Sequence, residues 1–235
     1  MLEYCMLASG AAISLKVLLT PPFLYYIILL LAMAAAGHIV RTPWFKGWFG
    51  ELQVNLIAWL CLDSSRYHLV RNVTLPCGEG TTQIDQVVVS RYGVFVIETK
   101  NMSGWIFGRE REATWTQKFR RQSNRFQNPL RQNYKHTATL VELLALAPGQ
   151  VKSVVVFIGD AKLKTEMPSN VVVGSAYVDY IKSHKQEVLT SCEVDRVLEL
   201  IERERLKPNL GTHLKHVKHV QETVAQKSEE GNRRP

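Results

Sequence analysis

Apolar positions fall into runs of different period along this 235-residue chain. The longest is near the N-terminus, where Val17 to Val40 holds no charged residue and residues 23–36 read FLYYIILLLAMAAA. At about 1.5 Å rise per residue, such a stretch can cross a hydrocarbon core roughly 30 Å thick. Pro21 and Pro22 stand at its start, where missing backbone donors cost little. Tyr25 and Tyr26 at one end, with Trp44, Phe45 and Trp48 at the other, form an interfacial belt. A transmembrane helix over 17–40 is therefore expected, after a short segment 1–16. A cleaved signal peptide is the alternative, since Ala32-Met33-Ala34 could serve as a small-residue cleavage site. The long stretch before the apolar core, with only Lys16 against Glu3, argues for the anchor. Arg41 and Lys46 follow the span while its N-terminal side is nearly neutral, which places the remainder of the chain in the cytoplasm.

Beyond residue 41 the period changes. Leu52, Leu56, Ile57 and Leu60 recur at helical spacing, so Phe45–Cys61 reads as an amphipathic helix. Tyr67–Leu75 reads as a strand before the turn Pro76-Cys77-Gly78-Glu79-Gly80. Two β-rich runs follow, Thr81–Ser90 and Val94–Lys100, joined by a turn containing Gly93. Gly104–Trp115 suits a ribbon, and Pro129 starts a helix to about Leu146. Ser153–Ile158 and Asn170–Val173 are apolar runs suited to a central sheet. Val178–Ser183, Glu193–Arg205 and Leu210–Val224 are expected helices. This mixture predicts an α/β fold with a mixed sheet flanked by helices. The expected domains are a core over 41–160, a C-terminal strand and helices packing on it over 161–227, and a polar tail at 228–235.

Composition narrows the classes. Hydrophobic residues at 46% and charged residues at 21% exclude general disorder. The net charge of +8 is uneven: Trp105 to His136 holds eight Lys or Arg against Glu110 and Glu112 alone. That block suits a polyanion, with nucleic acid or anionic lipid as candidates. Cys5, Cys61, Cys77 and Cys192 stand far apart, which argues against a zinc module or a disulfide framework. Free thiols in a reducing compartment fit that spacing.

The hairpin carries the chemistry. With Arg91 and Tyr92 in its loop, Ser90 pairs with Gly93, and counting outward sets Asp85 opposite Glu98. Cross-strand partners on one face have Cβ atoms about 5 Å apart, and Lys100 emerges on the same face as Glu98. Two adjacent carboxylates repel unless a proton or cation intervenes. A hard divalent ion such as Mg²⁺ or Mn²⁺ suits them, and with Lys100 nearby the set could hydrolyse a phosphodiester. The same triplet could also be a cross-strand ion network serving local stability alone.

An acid followed by E-x-K after an apolar strand resembles the PD-(D/E)xK nuclease superfamily. The wider string resembles the nuclease-related domain family: GELQ at 50–53, QIDQVVVSRYGVFVIETKNMSGWIFG at 83–108, Trp115 and Gln117, and NPLRQNYKH at 128–136. The resemblance covers roughly residues 45–160. It implies a restriction-endonuclease-like mixed sheet, and a place at a bacterial cell membrane for a chain with this anchor. It implies metal ligation by Glu51, Asp85 and Glu98, a catalytic Lys100, and Gln132 beside the site. Gln83 departs from the family pattern, which commonly has Glu there; the hairpin count sets it opposite Lys100, weakening any second metal. His136 lies one turn beyond Gln132 on the same helix face, though a lone His is more often a satisfied surface residue than a ligand.

The substrate face is expected in the basic block, with Lys118, Arg120, Arg121, Arg125, Arg131 and Lys135 interleaved with Trp115, Phe119, Phe126 and Tyr134. Cations neutralise phosphates and aromatic faces stack on bases; alternatively the aromatics are core and the cations a solvated rim. In the C-terminal helix, Leu210, Leu214, Val217 and Val224 form a stripe, with His213, His216 and His219 spread round it, favouring packing over metal binding. The leading expectation is a membrane-anchored, Mg²⁺-dependent nuclease acting on DNA or RNA. A non-catalytic nucleic-acid tether and a lipid-facing interaction module are the alternatives.

Overall fold

A computed structural model describes residues 21–78 and 80–206. The segment 1–16, the first residues of the expected span, the helix Leu210–Val224 with its histidines, and the polar tail lie outside the described residues. The chain divides into two units, 1–46 and 47–235.

In the first unit, α1 (Pro21–Arg41) is one helix. Its window Leu24–Arg41 has mean hydropathy 1.7 and none of it is buried, so it is long and apolar enough to cross a membrane. Thr42 ends it and starts the next helix, α2 (Pro43–Cys61). The Thr42 hydroxyl donates to the Ile39 carbonyl at 2.7 Å and accepts from the Phe45 N–H at 3.3 Å, so one residue satisfies both helix ends. This cap starts α2 two residues before the periodicity implies.

In the second unit the helix is as expected but its face is not. The buried positions of α2 are Gly50, Val54 and Ala58, while Leu52, Leu56 and Leu60 are exposed. Small residues win because they let the helix lie close to the sheet: a Cβ on Gly50 would stand 2.7 Å from the Asn101 Cβ.

Five strands form the main sheet, in the order β1 (Tyr67–Cys77), β2 (Gly80–Ser90), β3 (Gly93–Asn101), β7 (Val151–Ile158) and β9 (Val171–Val173). β1, β2 and β3 are antiparallel; β7 joins β3, and β9 joins β7, in parallel. The sheet is thus mixed and covered on both faces. On one, α2 and α4 (Ala176–Ser183) pack Val54, Ala58, Tyr177 and Ile181 against Phe95, Ile97, Val154 and Val156. On the other, α3 (Pro129–Leu144) and α5 (Ser191–Glu204) pack Leu140, Leu144, Val197 and Ile201 against Val87, Val89, Val94 and Val96. Asn128 caps α3 before Pro129, and Ala145 at φ 50° closes it short of Leu146.

The expected ribbon is larger than its sequence signal. β4 (Gly104–Phe107), β5 (Thr114–Phe119), β6 (Gln122–Gln127) and β8 (Ala161–Leu163) form a second sheet ordered β6-β5-β4-β8. Ile106 and Trp115 pack on Val155 and Phe157 of β7, and the Trp115 and Phe157 rings stack 6.2 Å apart. β6 is polar and β8 only three residues long, so neither shows an apolar period.

Candidate active site

The hairpin turn has the register counted from the sequence, Ser90 opposite Gly93. Pairing between β2 and β3 then stops at Gln86 and Ile97, one step short of Asp85 and Glu98. The cause is a slip in side-chain alternation along β2. Ile84 and Val87 both join the core under α3 although three positions apart, an odd spacing that a regular strand sends to opposite faces. Asp85 sits in the slip, and instead of completing a pair its Oδ2 accepts the Thr99 N–H at 2.9 Å. Asp85 therefore ties the end of β3 through the backbone. The ladder also stops short of Gln83, which pairs with Thr74 of β1; the in-register neighbour of Lys100 is Phe157.

Glu98 is the centre of the site and only 2% exposed. The Lys100 ammonium stands 2.7 Å from its Oε1, and His136 Nε2 lies 3.3 Å from its Oε2. Lys100 also donates to Gln132 Oε1 at 2.9 Å. Gln132 and His136 reach the same strand because they are i, i+4 neighbours on α3. The far nitrogen of His136, Nδ1, shares a hydrogen bond of 2.7 Å with the buried Thr82 hydroxyl of β2. His136 is thus buried rather than a surface residue, hydrogen-bonded at Nδ1, while its Nε2 lies within ion-pair distance of Glu98 without a hydrogen-bond partner. Thr82 has no sequence signal of its own; only the slip in β2 and the docking of α3 bring it there. Asn133 anchors α3 between these two, donating to the Val96 and Val154 carbonyls and to the Ser153 hydroxyl.

Electrostatics separates the three carboxylates. Burial alone would raise the Glu98 pKa, but His136 and Lys100 outweigh it and hold the carboxyl below its ordinary range. Asp85 is pushed well above the usual range, by burial first, then by the charges of Glu98 and Glu51; the Thr99 N–H and Lys100 offset this in part. Glu51, on the α2 turn held close by Gly50, is also raised, by burial and then by Glu98. Burial, reinforced by the ionised Glu98, thus makes its two neighbours costly to ionise.

Among the described residues no three of His, Cys, Asp and Glu form a ready-made metal cage. Mg²⁺ does not require one, since it keeps several waters and is held by one or two carboxylates. The raised Asp85 and Glu51 are oxygen donors of the right hardness, and the buried Thr99 Oγ1 beside the Asp85 contact has no protein partner. This donor set fits a hard divalent ion better than a soft one.

The six expected substrate cations, Lys118, Arg120, Arg121, Arg125, Arg131 and Lys135, are all exposed. Arg131 differs from the rest in bonding the Arg111 carbonyl at 2.9 Å. The aromatics divide: Trp115 is core and Phe126 packs on it, while Phe119 and Tyr134 are exposed. Strand pairing adds residues outside the basic block. Trp105 of β4 lies between Lys118 of β5 and Lys162 of β8, and Lys164 stands 5.1 Å over its ring. The four strands of this sheet contain no acidic residue. Among the described residues none of Lys118, Arg125, Lys162 and Lys164 is ion-paired, whereas Arg66, Arg91, Arg203 and Arg205 all are.

Residues 46–158 match the family model described as nuclease-related domain. An uncharacterized protein of Bacillus anthracis is 40% identical over 124 residues, which is 52% of this chain. The match spans 58% of that relative's length.

Proposed function

We propose that this chain, which carries a nuclease-related domain over residues 46–158, is a membrane-anchored, metal-dependent phosphodiesterase acting on nucleic acid. The observation that carries the reading is Glu98, buried between the Lys100 ammonium and the His136 ring, with Asp85 and Glu51 near it held back from ionising by burial and by its charge. Asp85 and Glu51, with Glu98, would hold Mg²⁺ or Mn²⁺. When bound, such an ion lowers the pKa of a ligated water and polarises a phosphoryl oxygen. Lys100, fixed by Gln132 and Glu98, presents its ammonium to charge developing on the phosphate. His136, oriented by Thr82, keeps Glu98 in place and ionised. Lys118, Arg120, Arg121, Arg125 and Lys135 bind backbone phosphates without reading sequence, and exposed Trp105 stacks on an unpaired base. α1 spans the bilayer, and Arg41 and Lys46 set the domain on the cytoplasmic side.

A second reading has its own observation. Both Glu98 oxygens are engaged by cationic or imidazole groups, which leaves that carboxylate little freedom to ligate a metal. On this reading the chain is a nucleic-acid-binding tether on a nuclease-like fold. The deciding experiment is cleavage of labelled single- and double-stranded DNA and RNA by the full chain in detergent, with Mg²⁺, Mn²⁺ or EDTA, beside Asp85→Ala. Cutting that requires metal and Asp85 supports the enzyme. Salt-sensitive binding by both proteins without cutting assigns the tether.

A further inference from the structure

The outward face of α2 is the one large apolar surface of the second unit among the described residues. Trp48, Phe49, Leu52, Leu56, Trp59 and Leu60 are all exposed, Trp59 by 70% and Leu60 by 65%. The described chain from residue 62 onward exposes only four large hydrophobic residues, Trp105, Phe119, Tyr134 and Leu206, scattered over different elements. Single exposed apolar residues are ordinary, but a contiguous stripe of this size marks a surface that something covers. The stripe is continuous because Trp48, Leu52, Leu56 and Leu60 recur every four residues and Trp59 falls beside them. From residue 48 to 60 it extends about 18 Å along the helix. It lies opposite Gly50, Val54 and Ala58, which pack on the sheet.

Chain connectivity selects the occupant. Only Thr42 separates the end of α1 from the start of α2. If α1 crosses a bilayer and Arg41 ends the span, the first turn of α2 starts within one residue of the headgroup zone. Trp is enriched in that zone because its ring is apolar and its N–H is wet. α2 brings Trp44 and Trp48 near its start and Trp59 near its end, and its only charged side chains are Lys46 and Glu51. The inner face that an interfacial helix normally gives to water is here given to the sheet.

We propose that α2 is a membrane-surface helix, lying in the headgroup–acyl boundary with Trp48, Leu52, Leu56, Trp59 and Leu60 toward phospholipid. The inference rests on α1 spanning the bilayer, and goes beyond anchoring. A tether alone leaves the domain free in solution, whereas this helix docks it. Because α2 also carries Glu51, docking fixes the depth of the candidate site relative to the lipid surface, and substrate is engaged alongside the membrane.

The test is spin-label accessibility in the full chain, reconstituted in nanodiscs of phosphatidylcholine and phosphatidylglycerol. Native cysteines are replaced by Ser, and single cysteines are placed at Leu29, Leu52, Leu56 or Glu199. Matched thermal melts establish that each labelled protein is folded. The expected result is an oxygen-to-nickel-chelate accessibility ratio several-fold higher at 52 and 56 than at 199. A water-like ratio at 52 and 56 with a lipid-like ratio at 29 overturns surface docking while the anchor stands. A water-like ratio at 29 overturns the anchor and this inference together. Exclusion of both reagents at 56, with dipolar broadening between labels, overturns it in favour of a second copy of the chain.

Discussion

The imidazole of His136 joins a buried hydroxyl to a buried carboxylate: its Nδ1 meets Thr82 Oγ1 at 2.7 Å and its Nε2 lies 3.3 Å from Glu98 Oε2. Strand β2, helix α3 and strand β3 thereby meet at one ring. The donor and acceptor roles at the Thr82 contact depend on the ring tautomer, which also sets what Nε2 can offer Glu98.

Removing this ring exposes the Glu98 carboxylate to burial without one of its two compensating partners. His136→Ala is expected to lower unfolding free energy by about 1–3 kcal/mol, because a buried polar group loses a partner. Thr82→Val, which keeps shape and removes only the hydroxyl contact, should cost about 1 kcal/mol. Urea denaturation of the detergent-solubilised chain measures both, and a His136→Ala protein as stable as wild type contradicts the assigned contact.

Asp85 and Glu98 carry pH dependences of opposite sign. The folded-state pKa of Asp85 is raised, so its contribution favours folding while the carboxyl is protonated in both states and is lost as pH rises through the folded value. That window lies above the ordinary carboxylate range of about 4. The folded-state pKa of Glu98 is lowered, so its contribution is present above the ordinary range and is lost as pH falls through the folded value. In EDTA, Asp85→Asn should raise the melting temperature near neutral pH and shrink its dependence on pH above the ordinary carboxylate range. Mg²⁺ should raise the wild-type melting temperature more at neutral than at acidic pH, because protons and metal compete for the same oxygens.

Lys100 and Gln132 differ in consequence. In the proposed reaction Lys100→Ala removes the ammonium that would face the phosphate, and a loss of about 10²–10³ in kcat is the expected scale for one electrostatic stabiliser. Gln132→Ala leaves the charge but frees its position, so the fall should be smaller, about tenfold for a contact of some 1.4 kcal/mol. Single-turnover cleavage at saturating metal measures both, and equal losses would mean that Gln132 acts on more than Lys100.

Gly50 is a steric requirement rather than a turn residue. Its Cβ, if present, would stand 2.7 Å from the Asn101 Cβ, so Gly50→Ala must shift α2 or the end of β3. Overpacking of this kind costs about 1–3 kcal/mol, and here either shift changes the placement of Glu51 relative to Glu98. The variant should melt lower and cleave more slowly, with Gly47→Ala as control, since nothing lies within 4 Å of a Cβ at that position.

Trp105 is expected to distinguish single strands from duplexes. Half-exposed between Lys118 and Lys162, its ring can stack only on an unpaired base. Trp105→Ala should weaken single-strand binding about tenfold in EDTA, as loss of one stacked base does, and leave duplex binding nearly unchanged. Fluorescence anisotropy of labelled oligonucleotides reads both, and equal effects on the two would show a purely electrostatic face.

Local pattern alone determined a good deal of this protein. Uncharged length set α1, alternation and turn residues set the hairpin of β2 and β3, and the Asn128-Pro129 cap set the start of α3. These depend on interactions within a few residues, so they are written in neighbouring positions. The spacing of Glu98 and Lys100, and of Gln132 and His136, likewise placed each pair on one face of its own element. What only tertiary structure decided is how those faces meet. The slip in β2 that turned Asp85 from a cross-strand partner of Glu98 into a clasp on Thr99 depends on which side chains the α3 core accepts. The choice of Gly50, Val54 and Ala58 over the leucines of α2 depends on how closely the sheet lets a helix approach. Lys162 joined the cationic sheet, and Thr82 the site, through pairings across more than fifty residues of chain. Long-range packing sets these arrangements, and periodicity carries no information about a partner that far along the chain.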